Sequence, residues 1–425
     1  MTRTAGELLT SFERQPLYLK LTIFFIAALI VRLIYGLVIV GPTIGSDAYL
    51  FYTHAANLLG GKDFGVPNRP PAFSYAMAGI IGIFDHYPAS VVVYQAILSA
   101  LVPGLMYLLG RDLFAERIGA LAAWYSVFHF PLVDYVRLVG SDIQFTFAVV
   151  LTAWVVSRAS WRRTIVAGLL LGLSALTRGT ALTFFPFVAL LGLTPLGPRV
   201  EGWGRRMIRV TALLVTAGIV LAPWIIRNAL RYGAFVPVSS ESGINFFQGA
   251  QPGFLLYRET DYDLAQKLTG WNTGDHDDLN HPQYQSQLTG YWWRLWIEQP
   301  RLQIAMRALS FFDFWSPVER VRFYSLGPGN IYWAVTYGAQ LPFFALGGYL
   351  ILKRRVPGTY FALAAITGAT LLHTLSHAEQ TRYRGLSVES FVALIACYGA
   401  VEYWNWRVAP KPLSAYNGGA QEKSQ

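Results

Sequence analysis

The groups in this sequence that could do chemistry are acidic and basic residues at the ends of apolar runs. In IGSDAYLFYTHAANLLGGKDF, Ile44 to Phe64, Asp47 opens a helical stretch directly after a run that could cross a membrane. At helical spacing Asp47, Phe51, His54 and Leu58 share one face, and Gly60 is placed to supply a left-handed stop. Asp47 or Ser46 could serve as an N-cap. At a membrane–water boundary a carboxylate can also be partly desolvated and tuned as a base. Further polar groups fall at the same kind of boundary. Arg69 lies in NRPPAFSY. Asp134, Arg137 and Asp142 lie in FPLVDYVRLVGSDIQF, and Arg178 lies in LTRGT. Arg227 and Asn228 end another apolar run, and Arg382 and Arg384 lie in QTRYRG. Singly, each reads as a snorkelling or loop charge. Together they put arginines and carboxylates on one face, which suits an anionic lipid headgroup, because the guanidinium fork matches phosphate oxygens. Arg32 lies inside the first apolar run and demands a partner or a route to the surface.

The elements that must position these residues are membrane spans. Of 425 residues 54% are hydrophobic and only 14% charged, against about a quarter charged in soluble domains; the mean hydropathy is +0.37. Apolar runs near 20–40, 88–109, 117–133, 143–157, 163–177, 180–195, 207–226, 330–352, 357–373 and 386–403 predict about ten spans. The basic clusters at Arg14 and Lys20, Arg111 and Arg117, Arg158 to Arg163, Arg199 to Arg209, Lys353 to Arg355, and Arg407 onward then share one side. That is the positive-inside pattern. It accounts for most of the net charge of +10 without a nucleic-acid face. Pro71–Phe84 is too short to span and reads as interfacial or re-entrant, and Pro300–Trp315 as an amphipathic helix on the outer surface.

The resulting domain plan is a catalytic transmembrane module, 1–226, with a first outer loop at 41–87. A long outer loop, 227–329, and C-terminal spans with a tail, 330–425, follow. Leu21 to Val40 lacks a small-x-small cleavage site and reads as a retained span. Cys397 is the only cysteine, so no disulfide within the chain is possible. No P-loop, dinucleotide fingerprint or HExxH occurs. DYD at 261–263 and DHD at 275–277 read as polar turns; His276 and His281 flank this acidic patch without ligand spacing for a metal. Gly168 and Gly172 in GLLLG read as a close-packing face.

The order of these motifs resembles the GT-C class of membrane glycosyltransferases, closest to the branch of protein O-mannosyltransferases, aminoarabinose transferases and rhizobial galacturonosyltransferase-like proteins. The landmarks are SDAYLFYTHAANLLGGKDF, NRPPAFSY, FPLVDYVRLVGSDIQF, GLLLGLSALTRGTAL, LAPWIIRNALRYGAFVPVSS with ESGINFFQG, and EQTRYRGLSVE. The resemblance implies an all-α polytopic fold with interfacial helices in two long outer loops. It implies a polyprenyl-phosphate sugar donor and inverting transfer on the non-cytoplasmic face, in a bacterial inner membrane. It puts the catalytic aspartate at Asp47, the second acidic position at Asp142, the donor-phosphate contact at Arg69, and final-loop arginines at Arg382 and Arg384. His54, Arg178, Arg227 and Asn245 join the expected substrate-binding set. The sequence departs from the pattern at Ala48, where many relatives carry Glu, and at Asn68, where some carry a carboxylate proposed to bind metal. No cofactor is therefore called for, and a divalent metal stays an open alternative. The acceptor is a glycan, lipid or protein. The rival readings are a ligase using a lipid-diphosphate donor and a non-enzymatic lipid-sugar flippase, which would keep its polar groups near the midplane.

Overall fold

The structure is a computed structural model that describes residues 14–158, 160–200, 202–257, 259–272, 276–317, 328–376, 384–386 and 388–408. Among these the fold is helical, and the one β-type pairing is the bridge between Thr43 and Leu138. Helices occupy every run expected to span: α1 (Leu17–Leu33, continued by a π-turn to Ile39), α4 (Ala89–Leu113), α5 (Glu116–Phe128), α7 (Asp142–Val156), α8 (Trp161–Thr177), α9 (Phe184–Gly192), α10 (Trp203–Tyr232), α16 (Pro328–Arg354), α17 (Tyr360–Leu375) and α18 (Glu389–Val408). Four are long and apolar enough to cross a membrane by length and composition: Leu17–Ile39, Ala89–Leu113, Trp203–Tyr232 and Ile331–Arg354. The chain is an integral membrane protein. The remaining helices lie outside this set: α2 (Ser46–Leu59), α3 (Pro71–Phe84), α6 (Phe130–Asp134), α11 (Ser242–Gly249), α12 (Pro252–Tyr257), α13 (Tyr262–Thr269), α14 (Pro282–Glu298) and α15 (Pro300–Trp315).

An apolar bundle tolerates charge only where each charge finds partners inside it. Arg32, fully buried, donates from Nε to Ser99 Oγ at 2.7 Å and from its two Nη atoms to the carbonyls of Ala28, Val127 and Ser126 at 2.9–3.1 Å. Those carbonyls lie on α1 and at the end of α5, so Arg32 stitches two spans together. A second buried cluster joins α16 to α18. Glu389 accepts from Arg384 Nε and from His129 at 2.7 Å, and from Trp333 Nε1 at 2.8 Å.

The two ends of the bundle differ in charge. At one end Arg158 forks onto the Asp112 carboxylate with two bonds of 2.6 Å, and Arg199 donates to the Asp112 carbonyl at 2.8 Å. Lys20 pairs with Glu116 there, and Arg199 reaches the Pro357 carbonyl. These contacts gather the basic clusters at the ends of α1, α4, α7, α9 and α16. Asp142, Arg178, Arg227 and His373 lie at the opposite ends of α7, α8, α10 and α17.

Two local readings resolve differently in the structure. The left-handed stop of α2 falls on Gly61, at φ +69°, and not on Gly60, at φ −79°. The helix runs one residue further because Lys62 N–H reaches back to the Asn57 carbonyl at 2.8 Å. Nor is Asp47 a cap: Gly45 occupies that position, without a side-chain cap, and Asp47 sits in the first turn. The amphipathic reading of α15 takes a particular form. Gln303, Met306, Arg307, Ser310 and Phe314 point inward, while Ile304 and Phe312 are 61% and 69% exposed. An outward apolar face of this kind suits lipid.

Gly168 and Gly172 pack α8 onto α10. A Cβ at Gly168 would lie 2.5 Å from the Leu213 carbonyl oxygen, and one at Gly172 would lie 2.7 Å from Val220 Cβ. Gly172→Leu should therefore lower the thermal unfolding temperature in detergent, by an overpacking cost of about 1–3 kcal/mol or more. Gly218→Leu, where nothing lies within 4 Å of the built Cβ, should leave that temperature near wild type.

Candidate active site

Two segments outside the spans meet over the end of the bundle. The first carries α2, which presents Asp47, and continues to Arg69, just before α3. Pro70 and Pro71 suit this junction, since proline favours the start of a helix and extends the residue before it. The second segment leaves α10 after Gly233, at φ +62°, and runs back across its end as a strap. Asn228 Nδ2 donates to the Val236 carbonyl at 3.0 Å, and Trp224 Nε1 to the Val238 carbonyl at 2.7 Å. Ser240 N–H donates to the Pro67 carbonyl at 2.8 Å. The strap thus brings Glu241 to Arg69. Arg69 Nη2 donates to Asp47 Oδ1 at 2.9 Å, and its Nη1 meets the Glu241 carboxylate.

Arg178 follows the last residue of α8 in extended geometry, at φ −154°. It pairs with Asp142 in the first turn of α7, where the positive end of the helix dipole favours a carboxylate. The loop that delivers Asp142 is held from below by Gln95. Its Nε2 donates to the Val136 and Leu138 carbonyls at 2.8 and 2.9 Å, and its Oε1 accepts from Gly140 N–H at 3.1 Å. Asp134 is spent elsewhere: it accepts from Arg137 Nε at 2.7 Å and Tyr35 OH at 2.9 Å.

A cavity of about 320 Å³ opens between these pairs. Asp47, Arg69, Arg178, Glu241, Asn245 and His373 are among its lining residues. His373 comes from the end of α17, which Arg307 ties to the outer segments. Arg307 Nη1 donates to the Leu375 and Ser376 carbonyls at 2.6 and 3.0 Å, and its Nη2 meets the Gly249 carbonyl.

Of the residues singled out from sequence, Asp47, Arg69, Arg178 and Asn245 line the cavity, and Asp142 stands behind Arg178. Three others are placed away from it. Arg227 binds Asp63 and the Gly65 carbonyl and stacks on Trp224 at 4.9 Å, so it clamps the end of the first outer segment. Asp63 stays below the usual carboxylate range: burial pushes its pKa up, but the Gly65 N–H and Arg227 outweigh it. His54 is buried on the inner face of α2, with Nδ1 2.7 Å from the Phe64 carbonyl and Nε2 2.7 Å from Asn68 Oδ1. Arg384 is sealed at 0% exposure between Glu389 and the Phe314 and Ser316 carbonyls, with the Tyr337 ring 3.8 Å away. Arg382 and Asp275 lie outside the described residues, as does the side chain of His276. The DYD motif begins a helix: Asp261 Oδ1 accepts from Leu264 N–H at 2.9 Å and caps α13.

Sequence reasoning missed Glu241, His373 and Arg307. Glu241 stands in the quoted SSESGINFFQG stretch, and a carboxylate leading a short helix was a usable signal. His373 and Arg307 act through tertiary contacts with no local signature. The carboxylates at the cavity do not fit a divalent metal. The Arg69 guanidinium lies between Asp47 and Glu241, Arg178 answers Asp142, and Asn68 is turned to His54. Among the described residues no group of three or more His, Cys, Asp or Glu is gathered.

The comparisons with known proteins bear on this geometry. The model of the dolichyl-phosphate-mannose-protein mannosyltransferase family matches residues 68–226. That segment carries Arg69, Asp142 and Arg178. Among solved structures, the Archaeoglobus fulgidus oligosaccharyltransferase AglB, in complex with an inhibitory peptide and a dolichol-phosphate, superposes at a TM-score of 0.55 with 14% identity. The match covers 94% of this chain and 53% of AglB. The chain has a GT-C fold. It spans about half the length of that oligosaccharyltransferase. ArnT from Cupriavidus metallidurans, bound to undecaprenyl phosphate, matches at a TM-score of 0.40 with 12% identity, over 93% of this chain and 78% of ArnT. No curated protein matches the chain by sequence.

His54 gives the GT-C scaffold a pH dependence that can be measured. Burial pushes its pKa below the usual histidine value, against the hydrogen bonds to Asn68 and Phe64. Both ring nitrogens face oxygen acceptors, Nδ1 the Phe64 carbonyl and Nε2 the Asn68 Oδ1. A lowered folded-state pKa means that the unfolded chain binds the proton more readily. The stability owed to neutral His54 is complete above the unfolded value of about 6.5 and is lost as pH falls through the lowered folded value. His54→Gln should flatten this acid limb in a series of unfolding temperatures against pH.

Proposed function

We propose that this protein is a glycosyltransferase that moves a sugar from a polyprenyl-phosphate donor to a hydroxyl-bearing acceptor, with inversion, on the non-cytoplasmic face of a bacterial inner membrane. The observation that carries the reading is the Asp47–Arg69 pair at a cavity on the end of a GT-C bundle opposite its basic clusters. The family match over 68–226 supports a lipid-linked sugar donor.

In this reading Asp47 is the base. A carboxylate is ionised at neutral pH, and Arg69 fixes its direction. It takes the proton of the acceptor hydroxyl as that oxygen attacks the anomeric carbon from the face opposite the leaving group. The bond from the anomeric carbon to the phosphate oxygen breaks, and its electrons leave on polyprenyl phosphate. Arg69 and Arg178 line the place where that charge grows, and preorganised cations there lower the barrier. Asp142 holds Arg178 in position. This assignment moves the phosphate role from the buried Arg384 to Arg178, which the cavity exposes. The acceptor is a glycan, lipid or protein hydroxyl, and neither its identity nor the sugar's is set by the residues.

Two measurements test the reading. Purified Asp47→Asn should fold and bind donor lipid, yet lose sugar transfer by about a hundredfold or more, the usual worth of a general base. Asp85→Asn should stay active; this residue lies outside the cavity at φ +53°, a geometry that Asn tolerates. Near-normal transfer by Asp47→Asn would remove Asp47 from the chemistry. For topology, exposed Ser286 changed to Cys should react with an impermeant maleimide added from outside intact cells. Labelling only from the cytoplasmic side would reverse the orientation.

A further inference from the structure

The segment between α10 and α16 holds a second cavity, of about 400 Å³, which the chemistry at Asp47 does not use. It lies between α12, α13, α14 and the start of α15. Its walls mix hydrogen-bond donors with acceptors. Glu259 and Asp261 bring carboxylates, Thr260 a hydroxyl, Tyr291 a phenol and Gln251 an amide. Some of these groups are partly engaged by the fold. Asp261 Oδ1 caps α13, and Thr260 Oγ1 accepts from Gln248 Nε2 at 3.0 Å. The Tyr291 ring packs on Phe247 with centroids 5.5 Å apart. Burial and the Asp261 charge both push the pKa of its phenol up, so it stays a donor. Gln251 is the telling residue. It is 7% exposed, and its Oε1 accepts from Asp261 N–H at 2.9 Å. Its Nε2 is buried and meets no acceptor among the described residues. An unanswered buried donor is costly, so a ligand bound here has an acceptor to offer it.

The mixture of groups selects the ligand. A cation would answer the carboxylates and leave the amide donor unanswered. An anion would answer the amide and lie against two like charges. A hydroxyl both donates and accepts, and a polyhydroxylated ring presents several at close spacing. The second cavity is also joined to the first. Helix α11 carries Ser242 and Asn245 on the wall of the first cavity and ends at Gly249, directly before Ala250 and Gln251 on the wall of the second. At about 1.5 Å per residue the helix sets the two walls roughly 10 Å apart, the reach of a sugar ring or two. We propose that the second cavity is a saccharide subsite, which holds the acceptor's glycan a ring or two away from the hydroxyl that reacts. The inference rests on the glycosyltransferase reading and narrows its acceptor to a glycan-bearing molecule. Gln251 and Tyr291 bind the saccharide and take no part in the chemistry at Asp47.

The test uses the purified full chain in detergent and an array of immobilised neutral and uronic oligosaccharides, from disaccharides upward. Farnesyl phosphate, a short polyprenyl phosphate, is titrated in parallel to read the first cavity. Wild type should retain at least one of the saccharides. Tyr291→Phe removes only a hydroxyl and keeps the ring on Phe247, so it should fold and bind that saccharide roughly three- to tenfold more weakly, the worth of one hydrogen bond. Gln251→Leu, with its unfolding temperature recorded, should weaken binding at least as much. In steady-state transfer Tyr291→Phe should raise the acceptor KM with kcat and donor KM unchanged, the pattern of binding lost equally from ground and transition states. Protein that binds farnesyl phosphate but no saccharide, or binds saccharide equally as wild type and Tyr291→Phe, overturns the subsite and leaves the reading standing. Calcium binding in place of saccharide binding would overturn it too, as a cation site. Saccharide binding that both variants weaken, without any binding of farnesyl phosphate, sinks the reading and the acceptor role with it.

Discussion

The site depends on one guanidinium shared between two segments of the chain. Arg69 is fixed in the first outer segment by the prolines that follow it, and it is met by Asp47 from α2 and by Glu241 from the strap. Without that shared cation two carboxylates would face each other across the cavity mouth. The joint is reinforced where Ser240 N–H donates to the Pro67 carbonyl, but a backbone hydrogen bond sets only the approach of the chains. The charge decides which side chains point inward. Arg178 and Asp142 repeat the arrangement one layer deeper, and the cavity is the space left between the two pairs.

The same rule, that a charge in an apolar surround must be answered, sorts the remaining arginines into structural roles. Arg32 is answered by carbonyls of α1 and α5, and Arg307 by carbonyls of α17 and α11. Arg384 is answered by Glu389 and by the end of α15. Removing one partner of a buried ion pair such as Arg384–Glu389 typically costs about 3–5 kcal/mol. These residues join helices distant in sequence, and they do so at points where a purely apolar contact would let the helices slide.

This division explains what was legible in the sequence. The spans were legible because an apolar run near 20 residues has few alternatives, and the basic clusters oriented them. Asp47 and Arg69 were marked out by SDAYLFYTHAANLLGGKDF and NRPPAFSY, and the structure pairs them at the cavity. What the sequence could not separate was an arginine that lines a cavity from one that holds a fold together. Arg178 and Arg384 each precede a glycine, and nothing local sets their roles apart. Their roles differ only because Glu389, five residues on, folds back onto Arg384, while Asp142 reaches Arg178 from a different helix. The stop of α2 at Gly61 rather than Gly60 turned on two backbone hydrogen bonds, from Gly61 and Lys62, which composition does not encode. His373 reached the cavity through tertiary approach alone.

The glycine face between α8 and α10 has a consequence for how the protein sits in its bilayer. With 30 residues at about 1.5 Å each, α10 is near 45 Å long, well beyond an apolar core of about 30 Å. Such a helix meets the excess by tilting or by protruding, and the balance shifts with membrane thickness. Because Gly168 and Gly172 seat α8 directly on the backbone of α10, the two helices tilt as one body. Arg178, at the end of α8, moves with them. The depth of the cavity below the headgroups is therefore geared to the thickness of the surrounding lipid.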